Sequence, residues 1–200
     1  MKGYSSMNKK FILSLICGIC LSLSIVVFSS FFSECNSFSN EILRVHIPAN
    51  SNSAYDQEIK LKVKESITQK LDDILKNAEN LDEAKKIVTQ NIDTLETIAK
   101  NTLKENNVNQ NVSVNVRENV FINTRKYMGL TVPSGRYTAV TVELGKAQGD
   151  NWWCIAYPQE LSDDSSLTKL NSNYKIAFAG VEILERFLNI INKPSYKLTH

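Results

Sequence analysis

Glycine and proline are scarce in this 200-residue sequence, seven and four respectively, which excludes a collagen-like repeat, a Gly/Ser linker array and a proline-rich spacer. Histidine is scarcer still. His46 and His200 stand alone, the carboxylates are scattered, and no metal-ligand spacing emerges, so neither a metal nor a cofactor is expected. An excess of one charge is also missing. Of 23 Lys and Arg and 21 Asp and Glu, only Lys2, Lys9, Lys10 and Glu34 lie within the first 40 residues, so 20 of each sign remain beyond them. A balanced domain has no electrostatic reason to bind nucleic acid. Cysteine is limited to four residues, and Cys17 and Cys20, although spaced C-x-x-C, sit inside an apolar run where zinc or redox chemistry has no place.

That run is the first positive feature. Residues 11–32, "FILSLICGICLSLSIVVFSSFF", carry no charge and follow Lys9 and Lys10. A charged start and a long apolar stretch describe an export signal at the long end, or a membrane anchor. Val27 and Ser29 are the nearest approach to a cleavage site and there is no A-x-A, so both readings stand. Residues 1–40 are read as targeting sequence, 41–193 as one domain, and 194–200 as a tail.

Within the domain, "ILRVHIP" alternates around Leu43, Val45 and Ile47 and predicts a strand ended by Pro48. Ser53 and Asp56 have capping-box spacing ahead of a helix with Ile59, Val63, Ile67, Leu71 and Ile74 on one face. A second helix is expected from Asn80, its stripe running through Ala84, Val88, Ile92, Leu95, Ala99 and Leu103. The period then becomes two. Val112, Val114 and Val116 predict a half-buried strand, "RYTAVTVELG" another, and Gly145 and Gly149 frame an expected hairpin into "NWWCIAYP". A last helix is marked by Ala177, Val181, Leu184, Leu188 and Ile191 and ends at Pro194. The sum is an α+β fold: a small, mainly antiparallel sheet with amphipathic helices packed on one face.

Two stretches are candidate contact surfaces. The polar turn Asn50, Ser51, Asn52 and Ser53, with Asp56 and Gln57, reads either as a helix cap or as a recognition loop. Asn151, Trp152 and Trp153 form the other. Adjacent tryptophans in a strand point to opposite faces, so one ring fills the core while the second is either covered by a helix or offered to a partner. Cys154 reads as a small buried hydrophobe. Its only imidazole partners would be His46 and His200, no oxyanion-hole signature accompanies it, and a bridge to Cys35 has little support. The acidic "SDDSS" at 162–166 lacks the glycine and terminal glutamate of a calcium loop.

Taken together, "RVHIPANSNSAYDQEIKLKVKESI" and "YMGLTVPSGRYTAVTVELGKAQGDNWWCIAYP" resemble stage II sporulation protein R of endospore-forming bacteria over nearly all of residues 42–191. The N-W-W-C element with its glycine spacing is the specific part. There are departures: Asn52 stands where that family usually has Asp, Lys64-Glu65 replace Arg-Asp, and Ser162 occupies the place of a second cysteine, which removes a local partner for Cys154. The resemblance implies a non-enzymatic signal, made in the forespore and exported into the space between the two membranes, secreted or membrane-anchored. Its partner would be a membrane-embedded aspartic protease that trims the precursor of a mother-cell sigma factor. Two other classes compete: an exported envelope hydrolase using Cys154, and a structural envelope protein held by residues 11–32.

Overall fold

In the computed structural model of the chain, described over residues 3–122, 124–127, 130–159, 174, 179–183 and 186, the apolar N-terminal run forms one helix, α1 (Gly3–Ser39). Its stretch Lys9–Ser39 is long and apolar enough to cross a membrane, with a mean hydropathy of 2.7 over its most apolar window, none of which is buried. The last turn of the same helix behaves differently. Phe38 is fully buried, its ring set edge-on to Tyr137 and Tyr174 at centroid distances of 6.4 and 5.3 Å. A chain beginning at residue 41 is therefore expected to fold but to lose about 3 kcal/mol against one that keeps Phe38, in line with deleting a buried phenyl ring. Equal denaturation midpoints for the two lengths of chain would refute this.

After α1 come β1 (Leu43–Pro48), α2 (Ala54–Leu75), α3 (Leu81–Gln90) and α4 (Ile92–Glu105). Then follow β2 (Val112–Phe121), the short pair β3 (Arg125–Tyr127) and β4 (Leu130–Val132), β5 (Gly135–Leu144) and β6 (Asn151–Tyr157). The expected cap forms, the Ser53 hydroxyl accepting from the Asp56 amide at 3.1 Å, and at the expected start of the next helix the Asn80 side chain accepts from the Glu83 amide at 2.9 Å. The expected second helix is two helices. At Asn91 the backbone leaves helical geometry (φ −109°, ψ 10°), while its side-chain amide donates to the Ile87 carbonyl, the local competition that makes asparagine a poor interior residue. The apolar stripe survives the break, because Ala84, Val88, Leu95, Ala99 and Leu103 all remain buried.

The four-stranded sheet has the order β2-β5-β1-β6, with β2/β5 and β1/β6 antiparallel and β5/β1 parallel. The hairpin expected between β5 and β6 is split: β1 lies between them, and the segment from Gly145 to Asp150 straddles it. The reason is burial. Leu43, Val45 and Ile47 face one layer and Arg44 the other, all at most 1 % exposed, so β1 is stable only in the sheet interior with a ladder on each side.

One face of the sheet carries the main core. Leu43, Val45, Ile47, Val112, Val114, Val140, Val142, Leu144, Cys154 and Ala156 pack against α2, α3 and α4. The opposite face carries a smaller aromatic cluster of Phe38, Ile42, Val132, Tyr137, Ile155 and Tyr174, with Phe121 and Trp153 at its margin. The fold is thus α+β with a mainly antiparallel sheet. Of the expected last helix, residues 179–183 and 186 are helical and Val181 is buried; Ala177, Leu184, Leu188, Ile191, the loop 162–166 and the tail 194–200 lie outside the described residues.

Candidate contact site

Pro48 pairs with Asn151, so the turn leaving β1 and the segment entering β6 meet at one end of the sheet. They are laced together through the residues of the polar stretch. Gly149 donates its amide to the Ala49 carbonyl at 2.8 Å, the Asn50 side-chain oxygen accepts from the Lys146 amide at 2.9 Å, and that of Asn52 accepts from the Asp150 amide at 2.5 Å. Lys60, in the second turn of α2, reaches the Asp150 carbonyl at 3.0 Å and the Gln57 side chain at 2.5 Å. Gln57 in turn donates to the Ser51 carbonyl at 2.8 Å.

Asp56 is the hub of this lacing. Its carboxylate accepts from the Ser51 hydroxyl at 2.5 Å, from the Asn50 amide at 2.9 Å and, across the fold, from the Gln110 amide at 2.9 Å. The hydrogen bond from Ser51, supported by those from Asn50 and Gln110, holds the carboxyl below its ordinary value against the opposing effect of burial. The turn therefore joins three elements, and its polar groups are largely engaged within the chain. Gln110 and Lys60 belong to the same network although neither stands out in the sequence, since each is an ordinary polar residue on a mostly solvated segment.

The two tryptophans take opposite faces, as strand geometry requires. Trp152 pairs with Ile47 in the ladder and packs beside the main core under α2, with the Lys64 ammonium 5.5 Å from its ring centroid. Trp153 pairs with His46 and lies on the aromatic face. Both rings are half-buried. Cys154 is buried in the main core, and removal from water pushes its thiol up to about 12. Cys35 packs against the other cluster, across the sheet, and the two cysteines are free.

Behind Trp153 lies a group that strand alternation alone did not single out. Arg44 is 1 % exposed, and its guanidinium sits 3.6 Å from the Phe121 ring centroid, 4.5 Å from that of Trp153 and 4.8 Å from that of Tyr137. A cavity of about 750 Å³ opens beside it, lined by Arg44, His46, Asn119, Phe121, Asn151 and Trp153 among others. His46, half-buried, is held neutral over a wider pH range by burial, which outweighs the opposing influence of the neighbouring Asn151 side chain. Two of the candidate residues, Asn151 and Trp153, thus line one cavity, and the turn at Asn50–Gln57 braces the loop that forms its wall. Trp152 stands apart on the far side of the sheet.

With this geometry in view, comparison with known proteins places the chain. The family model of stage II sporulation protein R matches residues 39–165. Stage II sporulation protein R of Bacillus subtilis (strain 168) is 29 % identical over 119 residues, 60 % of this chain and 53 % of that protein, so the match spans about half of the relative's length. No solved structure matches. Both of the sequence stretches that carry the resemblance, including the polar turn and the N-W-W-C strand, fall within the matched residues, and the chain belongs to the stage II sporulation protein R family.

Proposed function

We propose that this chain is an exported signal of endospore formation that activates a membrane-embedded aspartic protease, and that this protease then matures a mother-cell sigma factor precursor. Family membership over residues 39–165 is the observation that carries the reading, and the apolar helix at Lys9–Ser39 is compatible with export or anchorage. An activator works by binding one state of its receptor more tightly than another, which requires a surface and no chemistry of its own. The contact surface proposed is the end of the sheet bearing Asn151 and Trp153, with Asn50, Ser51, Asn52, Ser53, Asp56 and Gln57 fixing its shape.

The hydrolase alternative is weakened by a particular observation. A thiol that burial, aided by the nearby Asp72 carboxylate, pushes up to about 12 holds almost no thiolate at neutral pH, so Cys154 is poorly suited to attack a substrate even though it lines a small pocket with Lys64, Asp72 and Trp152. Cys154→Ala is accordingly expected to cost about 1 kcal/mol and to leave signalling intact, as a small buried truncation does. The decisive experiment co-expresses the full chain, the receptor protease and the precursor, and follows precursor cleavage. Cleavage that needs this chain and survives Cys154→Ala supports the activator reading. Cleavage that proceeds equally without the chain overturns it, and a folded Cys154→Ala chain that no longer supports cleavage would favour the hydrolase.

A further inference from the structure

We infer that the cavity beside Arg44 is a binding site for a carboxylate presented by an acidic or C-terminal peptide segment of a protein partner. The starting point is an imbalance. All three guanidinium nitrogens of Arg44 are buried and have no hydrogen-bond partner among the described residues, and the three aromatic rings around them contribute no acceptor oxygen bonded to them. A buried, unpaired cation is unfavourable unless an anion completes it, and ring faces recover only part of the lost hydration. The Nδ1 atom of His46, on the same cavity wall, also has no hydrogen-bond partner among the described residues.

The remaining lining indicates what kind of anion fits. The charged residues of the lining are Arg44, Arg125 and Asp150, a balance of one positive charge that suits a monoanion better than a phosphate dianion. The planar fork of a guanidinium matches a carboxylate in two-point geometry. The mouth adds Val120 and Ile122, 65 % and 82 % exposed, apolar side chains that a peptide can cover and a free anion cannot. At about 750 Å³ the cavity accepts a side chain with its flanking residues. Access lies past Phe121, the half-buried last residue of β2, whose ring stacks on the guanidinium and has to turn aside for the carboxylate to reach it.

The test uses the full chain in a zwitterionic detergent, carrying Trp152→Phe so that Trp153 reports alone. Four probes are titrated: acetate, inorganic phosphate, an N-acetylated tripeptide with a free C-terminal carboxylate, and an amidated tripeptide bearing one glutamate. Saturable change in Trp153 emission with either peptide, and a raised Tm in its presence, is the expected result. The two peptides distinguish a terminal from a side-chain carboxylate. Arg44→Met should weaken binding at least about tenfold, and without any anion its Tm should rise by about 3–6 °C, because the unpaired charge is gone. Arg44→Lys, which keeps the charge but not the fork, should also bind about tenfold more weakly. Three results would overturn the proposal: no saturable response to any carboxylate, peptide binding unchanged in Arg44→Met, or phosphate binding tighter than either peptide. A lower Tm for Arg44→Met would also overturn it, since the guanidinium would then be a settled member of the aromatic cluster.

Discussion

Asp56→Ala is expected to lower the stability of the domain by about 3 kcal/mol, the scale of losing several hydrogen bonds to one buried charged acceptor. The carboxylate is 7 % exposed and gathers donors from Asn50, Ser51 and Gln110, which belong to different segments. Removing it leaves those donors facing one another without an acceptor, and the start of α2 loses its link to the segment before β2. Asp56→Asn keeps the volume but cannot accept from all three, and should recover only part of the loss. A pH signature accompanies this. Because the folded-state value of Asp56 is depressed, its contribution is complete above the ordinary aspartate range near about 4 and is lost as pH falls through the lower folded value. Chemical denaturation between pH 7 and pH 2 should show wild type losing its advantage over Asp56→Asn in that acid window. Parallel pH profiles for the two proteins would remove Asp56 from the role of hub.

Most of the secondary structure was legible in the sequence because it rests on local periodicity. The alternation at Val112, Val114 and Val116 and the stripe from Ile59 to Leu71 each describe a surface that only one kind of element can bury. The position of β1 was not legible. Whether a short strand lies at an edge or inside depends on which partners the rest of the chain supplies, and "RVH" gives the appearance of a strand with one wet face. In the structure that face is closed by Phe121, Tyr137 and Trp153, residues 77 to 109 positions away in the chain, and no local pattern reports a contact at that separation. The same limit hid the cavity. Its wall combines Arg44 of β1 and Asn119 of β2, which look like ordinary solvated positions, with Asn151 of β6, which the sequence marks as a contact candidate without showing what it adjoins until the strand order brings the three together. The polar turn was legible as a cap at Ser53, whereas its wider role depends on Gln110 and on the loop before β6, and so appears only with the tertiary fold.

The second large effect is expected at Gly149, and comparison with Gly145 shows why. Gly145 has φ +57°, and a methyl group there would come within 2.2 Å of the Asn50 side-chain oxygen. That obstacle is a side chain, which can turn aside only by giving up its hydrogen bonds to the Lys146 amide and to Asp56, a loss of about 1 kcal/mol that adds to the cost of a left-handed backbone, about 1 kcal/mol for alanine. At Gly149 a methyl group would lie 2.3 Å from the Ser51 carbonyl oxygen and 2.5 Å from its carbon. Backbone cannot rotate away. The loop can relieve the overlap only by separating from the turn, which lengthens the Gly149–Ala49 hydrogen bond and pulls the Asp150 amide from Asn52 and the Asp150 carbonyl from Lys60. Gly149→Ala should therefore cost about 3 kcal/mol, at the upper end for overpacking, and Gly145→Ala about 2 kcal/mol. The damage should also be local. Amide hydrogen exchange at Gly149 and Asp150 is expected to accelerate strongly while the amides of β1 and β5 remain protected, because only the clasp between turn and loop opens. Equal destabilisation by the two alanine substitutions, or unchanged exchange at Gly149 in the variant, would show that the turn yields easily and that the clasp does not fix the cavity wall.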